Sequence, residues 1–245
     1  MNLHLRDCDQ ATLTARPKPR ESGLIEVANA KTYSTEEASL VWRSTPFWKR
    51  CFDIVVATTL LTIISPFLFA ITIFVRLVSP GPALFKQSRV GSMGDDFVIF
   101  KFRTMHPRQP QQTDSEHRAY VADLVGSQKA AAKPQYRNRL IPGGHFLRAH
   151  SLDELPQLLN VIRGDMSLIG PRPDVLSWED YPPWQRHRFE VLPGITGLWQ
   201  VSGKNELSFD EMVELDLKYI QKRSIKLDAW ILVKTVRLLL SGQNN

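Results

Sequence analysis

The longest hydrophobic pattern in the chain is an uncharged run of 22 residues from Ile54 to Val75, IVVATTLLTIISPFLFAITIFV. As an α-helix it would measure about 33 Å, which matches the hydrocarbon core of a bilayer. The run begins far from the N-terminus and has no small-residue cleavage site after it, which disfavours a removable signal peptide. The pattern therefore predicts a membrane helix rather than a buried helix of a soluble protein.

Two features favour a re-entrant path for this membrane helix, which we place in residues 45–78 with its basic flank. Ser65 and Pro66 lie in the middle of the run, and a proline removes a backbone hydrogen bond, so we expect the helix to break there. Cationic residues mark the cytoplasmic side of a membrane, and here they flank the run at both ends. A helix that enters, bends and returns to the same face fits both features, and a straight span is the alternative. The flanking cations are Lys49, Arg50, Arg76, Lys86 and Arg89.

The remaining chain divides at this helix. Residues 1–44 are polar, poorly periodic and interrupted by prolines, which predicts a flexible tail. The tail contains Asp7-Cys8-Asp9, an acidic pattern used for metal binding in many glycosyltransferases, but without apolar support we interpret it as chance. Residues 79–245 are predicted to form a catalytic domain, with a variable surface insert at 107–138.

Within the domain, short apolar stretches predict a β-hairpin, with Ala83–Phe85 and Phe97–Phe100 on either side of a turn at Gly91–Asp96. Pro193–Gly197 reads as a rigid turn. Apolar residues at helical spacing predict three further helices. The last of these either lies on the membrane surface or closes the core. The fold class is α+β and mainly α, and the predicted helices are 152–162, 209–221 and 227–240.

Composition narrows the partners of the chain. A formal net charge of +6 and a pI near 9.4 suit anionic partners, namely nucleic acid, an acidic membrane or phosphorylated substrates. Two cysteines exclude a disulfide framework and a zinc site of the usual kind. The sequence contains no nucleophile-elbow motif, Walker loop or Rossmann fingerprint.

The adjacent carboxylates Asp153 and Glu154 lie at the start of the predicted helix 152–162 and are the strongest candidates for chemistry. Neighbouring residues on a helix point about 100° apart, so the two carboxylates can serve two tasks around one ligand. The alternative is structural, because Ser151 and Glu154 have the spacing of a capping box. Pro156 argues for Asp153 as the N-cap instead, since proline then falls in the first turn.

Basic residues around this pair suggest a phosphate ligand. Arg172 lies between Pro171 and Pro173, which stiffen its loop, and a guanidinium matches phosphate oxygens. Its structural alternative is a salt bridge to Asp165 or Asp174. Arg148 lies five residues before Asp153, close enough to share its site. Acidic residues beside arginines suggest Mg²⁺ with a diphosphate substrate, because Mg²⁺ binds through one or two carboxylates plus substrate phosphates.

Taken together, these motifs resemble the bacterial sugar transferase family, the polyprenyl-phosphate hexose-1-phosphate transferases of minimal monotopic type. The resemblance covers about residues 46–241, and the block from SLDELPQ to GPRP is highly specific. The matching segments are 49–53 (KRCFD), 65–66 (SP), 101–105 (KFRTM), Arg148, 151–157 (SLDELPQ), 160–161 (NV), 164–167 (GDMS), 170–173 (GPRP) and 193–197 (PGITG).

The resemblance implies a mechanism. Asp153 matches the family's aspartate nucleophile, which attacks the sugar-side phosphate of a UDP-sugar and expels UMP before undecaprenyl phosphate takes the sugar phosphate. Glu154 matches the acid associated with Mg²⁺, and Arg148 and Arg172 match basic residues around the phosphates. It also implies a re-entrant helix broken at Ser-Pro, at the bacterial inner membrane with the catalytic domain on the cytoplasmic face. The further substrate-binding candidates are Lys101, Arg103, Pro171 and Pro173.

Three rival functions are weaker. A glycosyltransferase that releases UDP normally needs a larger nucleotide-binding fold, and a non-catalytic membrane-anchored adaptor leaves the Asp153-Glu154 pair beside two arginines unexplained. Nucleic acid is not an expected partner, because the basic residues are dispersed. The expected partners are therefore a UDP-sugar, a polyprenyl phosphate lipid and the membrane, while homo-oligomerisation is left open.

Overall fold

A computed structural model describes residues 40–106, 119, 139–203 and 206–241 of the chain. The Asp7-Cys8-Asp9 pattern, most of the predicted tail and nearly all of the predicted insert therefore lie outside the described residues.

The described chain is mainly helical, with two small two-stranded sheets. This confirms the predicted mainly helical class with a short hairpin and one long apolar helix. The strands are β1 Leu84–Val90, β2 Asp96–Phe102, β3 Ser167–Ile169 and β4 Gly194–Thr196. The helices are α1 Phe47–Val78, α2 Gly144–Ala149, α3 Leu158–Arg163, α4 Pro183–Arg186, α5 Phe209–Lys222 and α6 Ile225–Ser241.

The predicted hairpin is present and longer than expected. Strands β1 and β2 pair antiparallel in a register that matches Leu84 with Phe102 and Val90 with Asp96. The connecting turn needs left-handed backbone at Met93 and Gly94, with φ of 55° and 88°. Ile99 and Phe102 are buried, and because they lie three positions apart they cover opposite faces of β2, so the strand is packed on both sides toward its end.

A second, parallel pair joins β3 to β4, matching Ser167 with Gly194 and Ile169 with Thr196. The interpretation of Pro193–Gly197 as only a turn was therefore wrong. Such short strands carry too little local pattern to be recognised, and they form only because distant segments meet. The approach is close, since a Cβ on Gly194 would lie 2.1 Å from the backbone nitrogen of Gly170.

The helix predicted at 152–162 is divided into a 3₁₀ turn, Leu152–Gln157, followed by α3. Pro156 has no backbone N–H to donate, which favours the tighter turn ahead of the α-helix. Ser151 precedes the turn with a left-handed φ of 51°, so the prediction of Asp153 as N-cap was wrong. The side chain of Ser151 makes no capping bond either, which removes the capping-box explanation for Glu154.

Helix α1 continues without interruption through Ser65 and Pro66, so the expectation that this pair divides the helix in two was wrong, while the expected bend stays a prediction. The hydroxyl of Ser65 donates to the carbonyl of Thr62 over 2.8 Å. This is the carbonyl that residue 66 would have bonded if it had an N–H. The serine thus replaces the hydrogen bond that the proline removes.

Both ends of α1 pack against the rest of the described chain, whereas its middle does not. Lys49, Asp53 and Ala57 are buried at one end, and Ile71 and Val75 at the other. Between them the apolar side chains are exposed, and only 11% of the most apolar stretch is buried. This exposure is inconsistent with the core helix of a soluble protein. The exposed middle includes Leu60, Ile63, Phe67 and Phe69.

Charged side chains anchor the N-terminal end of α1. Lys49 forms a buried ion pair with Asp228 of α6 at 2.7 Å, and the hydroxyl of Tyr219 donates to the other oxygen of Asp228 at 2.9 Å. Asp53 accepts from the hydroxyl of Ser167 at 2.7 Å. Arg50 donates to the last carbonyls of α3. The KRCFD segment therefore docks the N-terminal end of α1 on the rest of the described chain.

We expect Lys49→Ala to destabilise the detergent-solubilised protein by about 3–5 kcal/mol, because it leaves the buried Asp228 carboxylate without its cation. Thermal unfolding of the purified chain measures the change. Lys226→Ala is the matched control, since Lys226 is an exposed lysine on the same helix as Asp228 and should alter stability little. Equal melting temperatures for both variants would contradict the anchoring role.

Helix α6 buries only Asp228 and Ile231. Trp230, Val233 and Leu240 are 40%, 53% and 80% exposed. Of the two alternatives predicted for this helix, its exposed apolar face favours the membrane surface over closure of the core.

Candidate active site

The 3₁₀ turn that carries Asp153 and Glu154 packs against β2 of the hairpin. Lys101 of β2 donates to Oε1 of Glu154 over 2.8 Å. Arg172 makes a two-pronged contact with the same carboxylate, through Nη1 to Oε2 at 3.0 Å and through Nη2 to Oε1. Residues 101, 154 and 172, predicted separately, therefore form one cluster of charges.

The loop after β3 carries Arg172 to this cluster. The carbonyl of Pro171 accepts from the backbone N–H of Gly194 at 2.8 Å, so the start of the loop is held by the second sheet. Pro171 is buried and Pro173 is partly buried. The two prolines flank Arg172 in the chain. The salt bridge of this arginine goes to Glu154 rather than to Asp165 or Asp174.

Asp153 differs from its neighbour because its side chain makes no hydrogen bond with the described part of the chain and is partly exposed. Burial, and then the negative charge of Glu154, raises the pKa of Asp153 to about 6, against the opposing charges of Lys101, Arg148 and Arg172. Asp153 is thus a carboxylate that lies beside a group of cations and has no hydrogen-bonding partner among the described residues.

Glu154 is held in the opposite electrostatic state. Burial alone would raise the pKa of Glu154, but the charges and hydrogen bonds of Arg172 and Lys101 outweigh it and hold that pKa well below its usual range. Burial also lowers the pKa of Lys101. The two adjacent carboxylates therefore lie in different environments, since Glu154 is held in an ion-pair cluster and Asp153 has no hydrogen bond to the described residues.

Of the two other arginines predicted to bind substrate, Arg148 lies near the carboxylate pair and Arg103 lies in the protein interior. Arg148 is exposed on α2, and its charge acts on Asp153. Arg103 is buried and directed elsewhere, since it donates to the carbonyls of Pro80 at 2.7 Å and Ser79 at 2.6 Å. The structure therefore does not bring Arg103 to the carboxylate pair, and its substrate-binding role stays a prediction.

The expected Mg²⁺ can be tested against the donor set. No group of three or more metal-ligating side chains occurs among the described residues, so the protein alone offers no complete cage. A carboxylate has about four lone-pair sites, and Lys101 and Arg172 use three of those on Glu154. One site on Oε2 remains, which fits a Mg²⁺ ion that takes most of its other ligands from substrate phosphates and water.

Comparison with known proteins identifies the family of the chain that carries this cluster. Residues 44–242 match the family model described as bacterial sugar transferase. The chain belongs to the bacterial sugar transferase family. The resemblance drawn from the sequence motifs is thereby confirmed, together with the prediction that the protein is a transferase enzyme.

Several curated relatives support the assignment of this bacterial sugar transferase. A UDP-glucose:undecaprenyl-phosphate glucose-1-phosphate transferase of Caulobacter vibrioides is 40% identical over 80% of the chain and 71% of the relative. The exopolysaccharide production protein ExoY of Rhizobium meliloti is 36% identical over 85% of the chain and 92% of the relative. An undecaprenyl-phosphate galactose phosphotransferase of Salmonella typhimurium is 38% identical, and there the match covers 82% of the chain but only 42% of the relative.

Asn160 was given no role by the sequence, but in the structure it connects helix α3 to the strand that carries Lys101. Its side chain accepts from the N–H of Phe100 at 3.2 Å and donates to the carbonyl of Val98 at 2.7 Å. These bonds fix strand β2, and with it Lys101, to the helix that follows the carboxylates. The signal available in the sequence was an asparagine among the apolar positions of a predicted helix, and the structure buries that asparagine fully.

The raised pKa of Asp153 predicts the pH dependence of the transferase. A carboxylate must be ionised to act as a nucleophile, so activity should fall as pH drops through about 6. If the transfer has two steps with Asp153 as the nucleophile, kcat/KM for a nucleotide-sugar donor measures the first step alone, and its pH profile does not include titration of a phosphate acceptor. An acid limb near the ordinary aspartate value of about 4 would contradict this prediction.

Proposed function

We propose that the chain transfers a hexose 1-phosphate from a UDP-sugar to polyprenyl phosphate, releasing UMP, at the start of exopolysaccharide or glycan assembly. The observation that carries the proposal is the available carboxylate of Asp153 beside the Arg172–Glu154–Lys101 cluster. The names of the relatives, which include glucose-1-phosphate and galactose phosphotransferases acting with undecaprenyl phosphate, support the same reaction class.

In the first step, an oxygen of Asp153 bonds to the phosphorus nearer the sugar. The bond from that phosphorus to the bridging oxygen breaks, and UMP leaves with the electron pair. In the second step, an oxygen of the polyprenyl phosphate bonds to the same phosphorus, and the bond to Asp153 breaks. The product is a polyprenyl diphosphate sugar, and the free carboxylate is restored.

The charges around Asp153 suit both steps. The cluster contains three cationic side chains and two carboxylates, which leaves an excess of one positive charge before substrate arrives. This excess favours the diphosphate of the donor and the phosphate of the acceptor. Arg148 is exposed beside Asp153, so it is placed to meet phosphate oxygens, whereas Lys101 and Arg172 are already oriented by Glu154.

Glu154 would hold the Mg²⁺ ion through its remaining Oε2 site. When bound, the ion neutralises phosphate charge and polarises the phosphoryl oxygens. Before the nucleotide-sugar binds, Lys101 and Arg172 oppose binding of the ion, because they are cations in contact with the same carboxylate. The nucleotide's negative charge removes this opposition, so metal and nucleotide-sugar should bind together.

The docking of α1 supports a monotopic arrangement in the bacterial inner membrane, with the catalytic domain on the cytoplasmic face. Lys49 and Asp53 at one end, and Ile71 and Val75 at the other, are buried by the same domain, while the apolar middle is exposed. A helix that crossed the bilayer would place its ends on opposite sides and could not dock both on one domain.

Single cysteines at positions 47 and 77, in a background lacking Cys8 and Cys51, test this arrangement. Phe47 and Leu77 are 85% and 80% exposed, so both substituted positions are accessible to reagent. We expect both to react from the cytoplasmic side with a membrane-impermeant maleimide, in inside-out vesicles and not in intact cells. Labelling of the two positions from opposite sides would establish a straight span.

Nucleotide release across a panel of UDP-sugars tests the proposed function directly. We expect UMP release that requires Mg²⁺ and is sustained only with polyprenyl phosphate, and the preferred donor identifies the sugar. Release of UDP would instead indicate a conventional glycosyltransferase. Absence of any nucleotide product with every donor would indicate a non-catalytic adaptor.

A further inference from the structure

The backbone of the Arg172 loop has an additional support that comes from outside the site. Nη2 of Arg188, in a 3₁₀ turn at His187–Glu190, donates to the carbonyl of Arg172 at 3.1 Å. The same nitrogen donates to Oδ2 of Asp216, on α5, at 2.8 Å. A chain of contacts therefore runs from Asp216 through Arg188 and Arg172 to Glu154.

This carbonyl is the only backbone group by which the peptide between Arg172 and Pro173 can be held. The nitrogen of that peptide belongs to proline and has no hydrogen to donate. Without the bond from Arg188, the two prolines would still limit the backbone angles, but no hydrogen bond would fix the position of this peptide within those limits. A shift of the loop would then move the Cα atom from which the Arg172 side chain reaches Glu154.

We propose that Arg188 and Asp216 are positioning residues that fix the guanidinium of Arg172 in the transferase site. The inference rests on the proposed function and extends it to a pair of residues that do not touch substrate. Asp216 orients Arg188, Arg188 holds the Arg172 carbonyl, and Arg172 in turn holds the Glu154 carboxylate.

The burial of the pair favours this role over a purely stabilising one. The side chains of Arg188 and Asp216 are 4% and 1% exposed, and the arginine lies 5.8 Å from the ring centres of both Phe189 and Phe209. The desolvation cost of a buried ion pair offsets most of its attraction, so packed apolar residues would serve stability as well. Apolar residues could not donate to the Arg172 carbonyl.

A double-mutant cycle separates positioning from general stability. Arg188→Gln should lower kcat for nucleotide release by about tenfold to a hundredfold in the otherwise unaltered chain, because a displaced catalytic group acts from the wrong position. In an Arg172→Ala background, the same change should lower kcat by less than about twofold, since no guanidinium remains to position. The cycle uses full-length protein in detergent with UDP-sugar and polyprenyl phosphate.

Arg186→Gln is the matched control. Arg186 lies two residues away and also donates to a backbone carbonyl, that of Tyr181 at 2.8 Å, but that carbonyl belongs to a loop without a predicted site residue. We expect its kcat to stay within about twofold of the unaltered chain. If Arg188→Gln does not fold, Asp216→Asn is used in the same cycle, since it keeps an acceptor for Arg188 and removes only the charge.

The outcomes are distinct. Equal losses of kcat with and without the Arg172 guanidinium, or no loss in either background, would overturn the positioning role while the proposed function stands. A lack of nucleotide product from the unaltered chain would overturn the proposed function and the positioning role with it.

Discussion

Replacing Asp153 by asparagine is expected to lower turnover by about 10⁴-fold or more while the protein stays folded and membrane-bound. The change keeps the size of the side chain but removes the charged oxygen that we propose attacks phosphorus. Asp153 makes no side-chain hydrogen bond with the described part of the chain, so its loss should disturb packing little. UMP release from a UDP-sugar in the presence of polyprenyl phosphate measures the effect.

Asp95→Asn is the matched control for this result. Asp95 is an exposed aspartate in the hairpin turn, and we expect the variant to retain turnover within about twofold. Near-normal turnover of the Asp153 variant would exclude this carboxylate as the nucleophile. An equal loss in both variants would indicate that the assay reports misfolding.

The second large effect is expected for Glu154→Gln, with a fall in turnover of about 10²–10³-fold. An amide cannot offset the two cations that contact this position, so Lys101 and Arg172 would lose their orientation. The substitution also removes the neighbouring charge that, after burial, does most to raise the pKa of Asp153. The acid limb of kcat/KM should therefore move to lower pH even though turnover falls.

These two signatures separate Glu154 from Asp153. Loss of a nucleophile abolishes the pH-dependent reaction, whereas loss of an orienting carboxylate leaves a slow reaction with a shifted profile. Glu179→Gln, at an exposed glutamate, is the control and should change neither the rate nor the profile. An acid limb that stays near pH 6 in Glu154→Gln would contradict the assigned coupling between the two carboxylates.

The features predicted correctly from sequence are those that a short segment determines by itself. The run 54–75 identified α1 because its length and lack of charge are local properties. The hairpin followed from two apolar stretches around a turn. Helices α5 and α6 begin and end within two residues of their predicted bounds, because their apolar spacing lies in one contiguous stretch.

The features that escaped prediction depend on contacts between distant segments. Strands β3 and β4 are three residues each and exist only as a pair. The ion pair of Lys49 with Asp228 joins residues 179 positions apart, and no local pattern connects them. The bonds of Arg103 were unpredictable for the same reason, since its partners are carbonyls of a loop 23 and 24 residues earlier.

The candidate site lies between these cases. Its residues were named from motifs, but their division of labour required the structure. Spacing could not tell that Glu154 is held by Lys101 and Arg172, while the Asp153 side chain forms no hydrogen bond within the described ranges of the chain. That asymmetry gives adjacent carboxylates opposite pKa shifts, and it underlies the assignment of Asp153 as nucleophile.

The most direct test is to quench the transferase during its reaction with a UDP-sugar in the absence of lipid acceptor and to measure the mass of the intact protein. The proposed mechanism predicts a gain of one sugar phosphate, located by peptide mapping on Asp153, that disappears when polyprenyl phosphate is added. Formation of the lipid product without any such adduct, or with the adduct on another residue, would contradict it.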